Sequence, residues 1–296
     1  MAKPVRSRAR LLALGLIAWF ALVSAAHAQQ SRQCTPAGSL VPLAGLAEAS
    51  GLASSRRVPG RLWTHNDSGQ PILFALDNQG AVTGQVQVSG ATVEDWEGIA
   101  VGPCGSGSCV YIGDIGDNEA GRKRITIYRV PEPERPGGTA AVSDVFHATY
   151  PDGAHDAEAL LFADGRLYIV TKGETGPVAL YRFPAQLQTG ATMKLERVGG
   201  PSANPDATSR ITDGSASPDG QWVALRTKSA LTFYRASDVL AGQWRAAGVV
   251  DLTSLNEPQG EGVALGADNT VFLAGEGGRK GQPGTFARLS CPAPRS

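Results

Sequence analysis

"SGATVEDWEGIAVGP", residues 89–103, crowds three acids, Glu94, Asp95 and Glu97, around Trp96 at the entrance to an apolar run. The phrase at its centre, "DWEGIA" (95–100), has four echoes. They are "EASGLA" (48–53), "DAEALL" (156–161), "DGSASP" (213–218) and "QGEGVA" (259–264). All share one form: an acid or amide, any residue, Glu or Ser, a small residue, then usually an apolar pair. After each comes a β-rich run: "RLWTHND", "CVYIGDI", "RLYIVTK", "QWVALRT" and "TVFLAGE". A third run follows: "PILFALD", "ITIYRVP", "VALYRFP", "LTFYRAS" and "GTFARLS", with Tyr-Arg pairs at 128–129, 181–182 and 234–235 in one register. Gly, Asp, Asn and Pro punctuate the runs, which is the pattern of short strands joined by tight turns.

Between Ser50, Glu97, Glu158, Ser215 and Glu261 the spacings are 47, 61, 57 and 46 residues. Repeats of that length with four strands each predict an all-β chain folded as a β-propeller. Fourth strands are visible as "AVTGQVQV", "DVFHATY", "MKLERVG" and "WRAAGVVDL". The fifth unit lacks one, and "GSLVPLAGL" (38–46) is left over at the other end to supply it. The reading is a five-bladed propeller closed by an N-terminal strand, or a six-bladed one if a weak repeat goes unrecognised.

The cysteines bear on closure. Cys34, Cys104, Cys109 and Cys291 are an even set. Ahead of them, Lys3, Arg6, Arg8 and Arg10 precede "LLALGLIAWFALVSA" and a small-x-small "AHA", the pattern of a secretory signal peptide cleaved after Ala28. The expected product is a secreted or periplasmic β-propeller domain, residues 29–296, with two disulfides. Four cysteines allow three pairings. Cys104–Cys109 would staple a hairpin around "GSGS", and Cys34–Cys291 would lock the closing strand. Without the four leader cations, 23 basic residues face 27 acids, a mildly acidic balance that excludes nucleic acid as a partner. No later apolar run approaches the roughly 18 residues of a membrane span. A monomer is expected.

In a propeller the first strand of each blade lines the central channel. Residues two apart on a strand share a face. Ser50, Glu97, Glu158, Ser215 and Glu261 would then form one ring, with Glu48, Asp95, Asp156, Asp213 and Gln259 in the layer beside it, and Trp96 turned into the packing between blades. Carboxylates about 4–6 Å apart repel by about 3–4 kcal/mol per pair at an effective dielectric near 20. Such a ring must bind protons or a cation. Oxygen donors alone suit calcium and not zinc. The alternative is a wet channel in which the acids bond only to amides and water.

Loops on the same face gather Asn66, Asp67, Asp114, Asp117, His155, Lys172 and Arg226. Acids collect in blades one and two, and cations in the later blades, an arrangement suited to a small anionic substrate or ligand. No nucleophile elbow, EF-hand, P-loop or dinucleotide fingerprint is present.

These phrases resemble the calcium-activated nucleotidases (apyrases), five-bladed propellers with calcium in the channel. The chain is also similar to exported bacterial propellers grouped as phytase-like or esterase-like. The first resemblance implies calcium held by Ser50, Glu97, Glu158, Ser215 and Glu261. The turn "LWTHNDSG" is similar to a segment with two adjacent catalytic acids, of which Asp67 keeps the second while Asn66 replaces the first. Lys172 and Arg226 fall where phosphate contacts would lie. The expectation is a calcium-dependent hydrolase of phosphate esters or anhydrides, with Asp67, Asp114 and Asp117 as catalytic acids and Asn66, His155, Lys172 and Arg226 as substrate contacts. A non-catalytic binding propeller with structural calcium, and a lactonase or esterase, are the alternatives.

Overall fold

The computed structural model describes residues 1, 34–201, 210–279 and 281–292. The leader and its cleavage site lie outside the described residues. Five antiparallel sheets form the blades of a β-propeller. The inner strands are Ala49–Ser54, Trp96–Cys104, Ala157–Ala163, Ile211–Ala216 and Gln259–Leu265. Each packs beside the next, and the last returns to the first. The repeated phrase therefore lies on an inner strand in all five blades.

Closure is also as expected. The fifth blade runs Gln259–Leu265, Thr270–Glu276 and Gly284–Ser290. Its outer edge is completed by Val41–Leu43, which pairs Val41 with Phe286, and by Thr35–Pro36, which pairs Thr35 with Ser290. Cys34–Cys291 and Cys104–Cys109 are both disulfides.

Two features depart from the four-strand reading. Thr139–Ala141 joins the edge of blade one as a parallel fifth strand, and Thr192–Lys194 does the same on blade two. The run "MKLERVG" is consequently split: Met193 belongs to the blade-two edge, and Glu196–Gly199 is the fourth strand of blade three. Covering an open edge with short strands removes unpaired backbone groups that would otherwise template association.

Among the described residues the core separates into five apolar clusters, one at each junction between blades. Trp96 is fully buried between blades one and two, near Trp63 and Val110. The Tyr-Arg pairs lie on third strands, where Arg129 and Arg182 pair with Asp144 and Glu196 directly opposite on the fourth. No helix among the described residues is long and apolar enough to cross a membrane.

Candidate functional site: an axial carboxylate layer and its mouth

Every inner strand is out of step with its neighbour by one residue. The slip falls between Ala49 and Leu52, Trp96 and Ile99, Ala157 and Ala159, Ile211 and Asp213, and Gly260 and Val263. A bulge re-aims the side chain it carries. Here it delivers Ser50, Glu97, Glu158, Thr212 and Glu261 to equivalent positions around the axis. The hydroxyl of Ser50 donates to the carbonyl of Glu97 at 3.3 Å, and that of Thr212 to the carbonyl of Glu261 at 3.1 Å. The same contact thus recurs from blade one to two and from blade four to five.

Blade four requires a correction. Ser215 lies three residues beyond the bulge, and Thr212 holds the position expected for it. Ser215 accepts the amide of Leu265 at 3.1 Å, on the adjacent inner strand of blade five. Asp213, expected in the neighbouring acid layer, is fully buried and reaches across the axis. Its Oδ2 accepts the amides of Leu52 (3.2 Å) and Val263 (2.8 Å). Burial outweighs those bonds and pushes its pKa well up, and Oδ1 has no partner.

The three ring glutamates are buried and electrostatically linked. Ser50 Oγ donates to Glu97 Oε2 at 2.7 Å. Burial, then Glu158 and Asp95, hold the Glu97 carboxyl well above its usual range. Glu158 is pushed up to about 7 by burial, against the pull of Lys172, whose Nζ lies 2.6 Å from Glu158 Oε1. Glu261 rises to about 7 through burial and the Glu158 charge. Among the described residues no three His, Cys, Asp or Glu side chains close on one point at metal-ligand spacing. The donor chemistry of the layer, carboxylates with two hydroxyls, is nevertheless that of a hard-cation site.

The mouth is built one layer outward. Just past the second strand of blades one to three an amide returns to the inner strand's entrance: Asp67 to the Glu48 carbonyl, Ile115 to Asp95 and Lys172 to Asp156. Several predicted site residues are spent in this scaffolding. Asn66 accepts the amide of Glu48. Asp114 accepts the amides of Glu94 and Asp95 and pairs with Arg122 at 2.8 Å. Asp117 caps its own loop by accepting the amides of Gly121 and Arg122. His155 bonds Asp152 and Tyr181 in a cluster at the edge of blade three.

The two cations expected as substrate contacts are both engaged within the fold. Arg226 is fully buried, bonded to Glu257 at 2.5 Å and to the carbonyls of Gly262 and Ala274. Lys172 faces inward to Glu158, with Asp156 at 3.4 Å. Those two acids and Glu97 outweigh burial and hold its ammonium above its ordinary pKa.

Asp67 stands apart. Its Oδ1 lacks a partner, and burial, then Glu48 and Glu276, push its carboxyl up to about 7. Glu276, at the end of the second strand of blade five, is likewise raised to about 7 by burial and Glu261. Two residues before Asp67, His65 is buried against Trp96 with its pKa lowered to about 4 by burial.

No family model and no curated protein matches the chain. Its backbone path is similar to the PQQ-bound aldose sugar dehydrogenase of Streptomyces coelicolor, with 14% identity over 89% of this chain and 100% of that one and a TM-score of 0.49. A gluconolactonase of Xanthomonas campestris is similar at 12% identity, covering 90% of this chain and 99% of that one, with a TM-score of 0.42. At this degree of overlap neither carries an argument about chemistry. No apyrase is among these similar structures.

Proposed function

We propose that the chain is a calcium-binding β-propeller, exported in function, whose acidic channel mouth is a ligand site. The observation that carries this is the five-fold bulge. One backbone irregularity, repeated in every blade, is used to bring three glutamates and two hydroxyls into one buried layer. Ser50, Glu97, Glu158, Thr212 and Glu261 would hold the ion, and it would add to the positive charge that Lys172, Arg226 and Lys228 set against them. It would also give a small anionic ligand its counter-charge, since Arg226 and Lys172 are engaged.

Calorimetric titration of the chelator-treated protein with calcium is the direct test. Saturable binding that also raises the melting temperature is expected. Glu97→Gln should weaken it strongly while keeping the fold, because the amide oxygen still accepts from Ser50. Failure to bind calcium, or equal binding by Glu97→Gln, removes the reading.

Asp67 favours a second reading, hydrolysis of a phosphate ester or anhydride. A carboxylate with one unpartnered oxygen, Oδ1, and a pKa of about 7 is matched to general-base work at neutral pH. The assay uses nucleoside di- and triphosphates, phytate, aryl esters and lactones with calcium or chelator. A turnover that falls as pH drops through about 7, with that acid limb absent in Asp67→Asn, supports it. No turnover on any of them leaves the binding propeller. Turnover confined to the esters and lactones points instead to the esterase class.

A further inference from the structure

At the other end of the channel the inner strands diverge around a cavity of about 540 Å³, lined from all five blades. It is distinct from the carboxylate layer: Ser50, Glu97, Glu158, Thr212 and Glu261 do not border it. Asp213 explains the separation. Its carboxylate bridges from blade four to the amides of Leu52 in blade one and Val263 in blade five, a bar across the axis. Leu52 itself lies on the cavity side. The floor is therefore a dead-end chamber opening away from the acidic mouth, and its size is that of a small-molecule site.

Its accessible wall is mixed: Val101, Phe162 and Ala216, each half-buried, supply its apolar faces, whereas Leu52, Ile99 and Leu160 are fully buried. Phe162 is half-buried and held by stacking on Tyr111 at 5.5 Å. The polar groups around this wall are already used. Ser54 donates to the carbonyl of Leu265 and Ser215 accepts its amide. Ser55 bonds Glu132, and Ser217 bonds Asp219. Arg61 donates to the carbonyls of Pro133 and Glu134 and lies over the Trp63 ring. Asp268 accepts the amide of Thr270. A sugar, which needs many free partners, finds few.

Arg56 is different. It is exposed at the rim of the cavity and has no hydrogen bond or ion pair within the described residues. Apolar faces set among committed polar groups, with one uncommitted guanidinium at the rim, select an apolar body with one anionic end. We propose that the channel floor binds a small amphiphilic carboxylate, its chain against Phe162, Val101 and Ala216 and its head group on Arg56.

The test is calorimetric titration of the full-length protein with decanoate, kept below its micelle concentration, beside 1-decanol and decyltrimethylammonium. Decanoate should bind saturably at one per chain. Arg56→Gln should weaken it by about tenfold, the loss of one charge-assisted contact, and leave decanol unchanged. Ala216→Trp, which fills the chamber from blade four, should abolish binding with the circular dichroism spectrum unaltered. Should that variant not fold, Val101→Phe fills the same space from blade two. Absence of saturable decanoate binding overturns the proposal. So does decanol or the ammonium binding as tightly, or binding that survives a folded filling variant.

Discussion

Lys172 is the side chain on which the charge balance of the axial layer turns. Its ammonium is 2.6 Å from Glu158 and 3.4 Å from Asp156, and both acids are almost wholly buried. Removing one partner of such a group strands the other charge away from water. Lys172→Met should cost about 3–5 kcal/mol at pH 8 and much less at pH 5, where Glu158 is protonated. Urea midpoints at the two pH values decide this, and equal losses would show that Lys172 acts by packing. The glutamates set a second pH dependence. Glu158 and Glu261 have an ordinary pKa of 4.5, raised in the fold to about 7. The folded state thus favours their protonated forms. Their contribution is complete below about pH 4.5 and is lost as pH rises through 7. Melting in chelator should therefore fall from pH 5 to pH 8, and added calcium should restore more stability at pH 8 than at pH 5. A melting temperature that climbs over this window without calcium would contradict the shifts.

At the scale of the strand, the repeated phrase combines a side chain that enters the layer with a small residue that lets the inner strands meet. A Cβ on Gly98 would stand 2.3 Å from the amide nitrogen of Leu160, and one on Gly262 would stand 2.3 Å from the carbonyl oxygen of Ser50. Gly98→Ala must push blades two and three apart, and should destabilise by about 1–3 kcal/mol, the usual cost of overpacking. Gly107→Ala, where a Cβ meets nothing within 4 Å, should be near silent. Matched urea denaturation of the pair checks the difference. This dual requirement is why the blades were legible in sequence: acid or hydroxyl, then glycine or alanine, must recur at every turn of the propeller. In blade four it misled. Asp213 stands in the small-residue slot, and "DGSASP" copies the phrase three residues late, so Ser215 was read in the place of Thr212. A bulge is a backbone event with no residue type of its own, so the frame could not be corrected from composition. The partner of Lys172 was illegible for a related reason. Its strand was evident, but which acid its long side chain meets depends on curvature across the layer. The parallel edge strands at Thr139–Ala141 and Thr192–Lys194 are three residues each, too short to show any period.

For the whole molecule, the two disulfides carry very different weight. Cys34–Cys291 spans 257 residues and ties the closing strand to the blade it completes, whereas Cys104–Cys109 spans 5 within one hairpin. In the chain-entropy account a crosslink stabilises by restricting the unfolded chain, and the gain grows with the logarithm of the loop. The long crosslink is then worth about 5 kcal/mol and the short one about 2 kcal/mol. Closure adds to the first figure, because Thr35–Pro36 and Val41–Leu43 pair with the last strand only while blade five is held shut. Losing Cys34–Cys291 should therefore expose the Gly284–Ser290 edge as well as lower stability. The double variant Cys34→Ser/Cys291→Ser should show a urea midpoint lowered more than twice as far as Cys104→Ser/Cys109→Ser. Hydrogen exchange should accelerate in residues 284–290 before it does in blades two and three. Equal midpoint losses for the two variants, or uniform exchange across all blades, would mean that the N-terminal strand holds blade five without its crosslink.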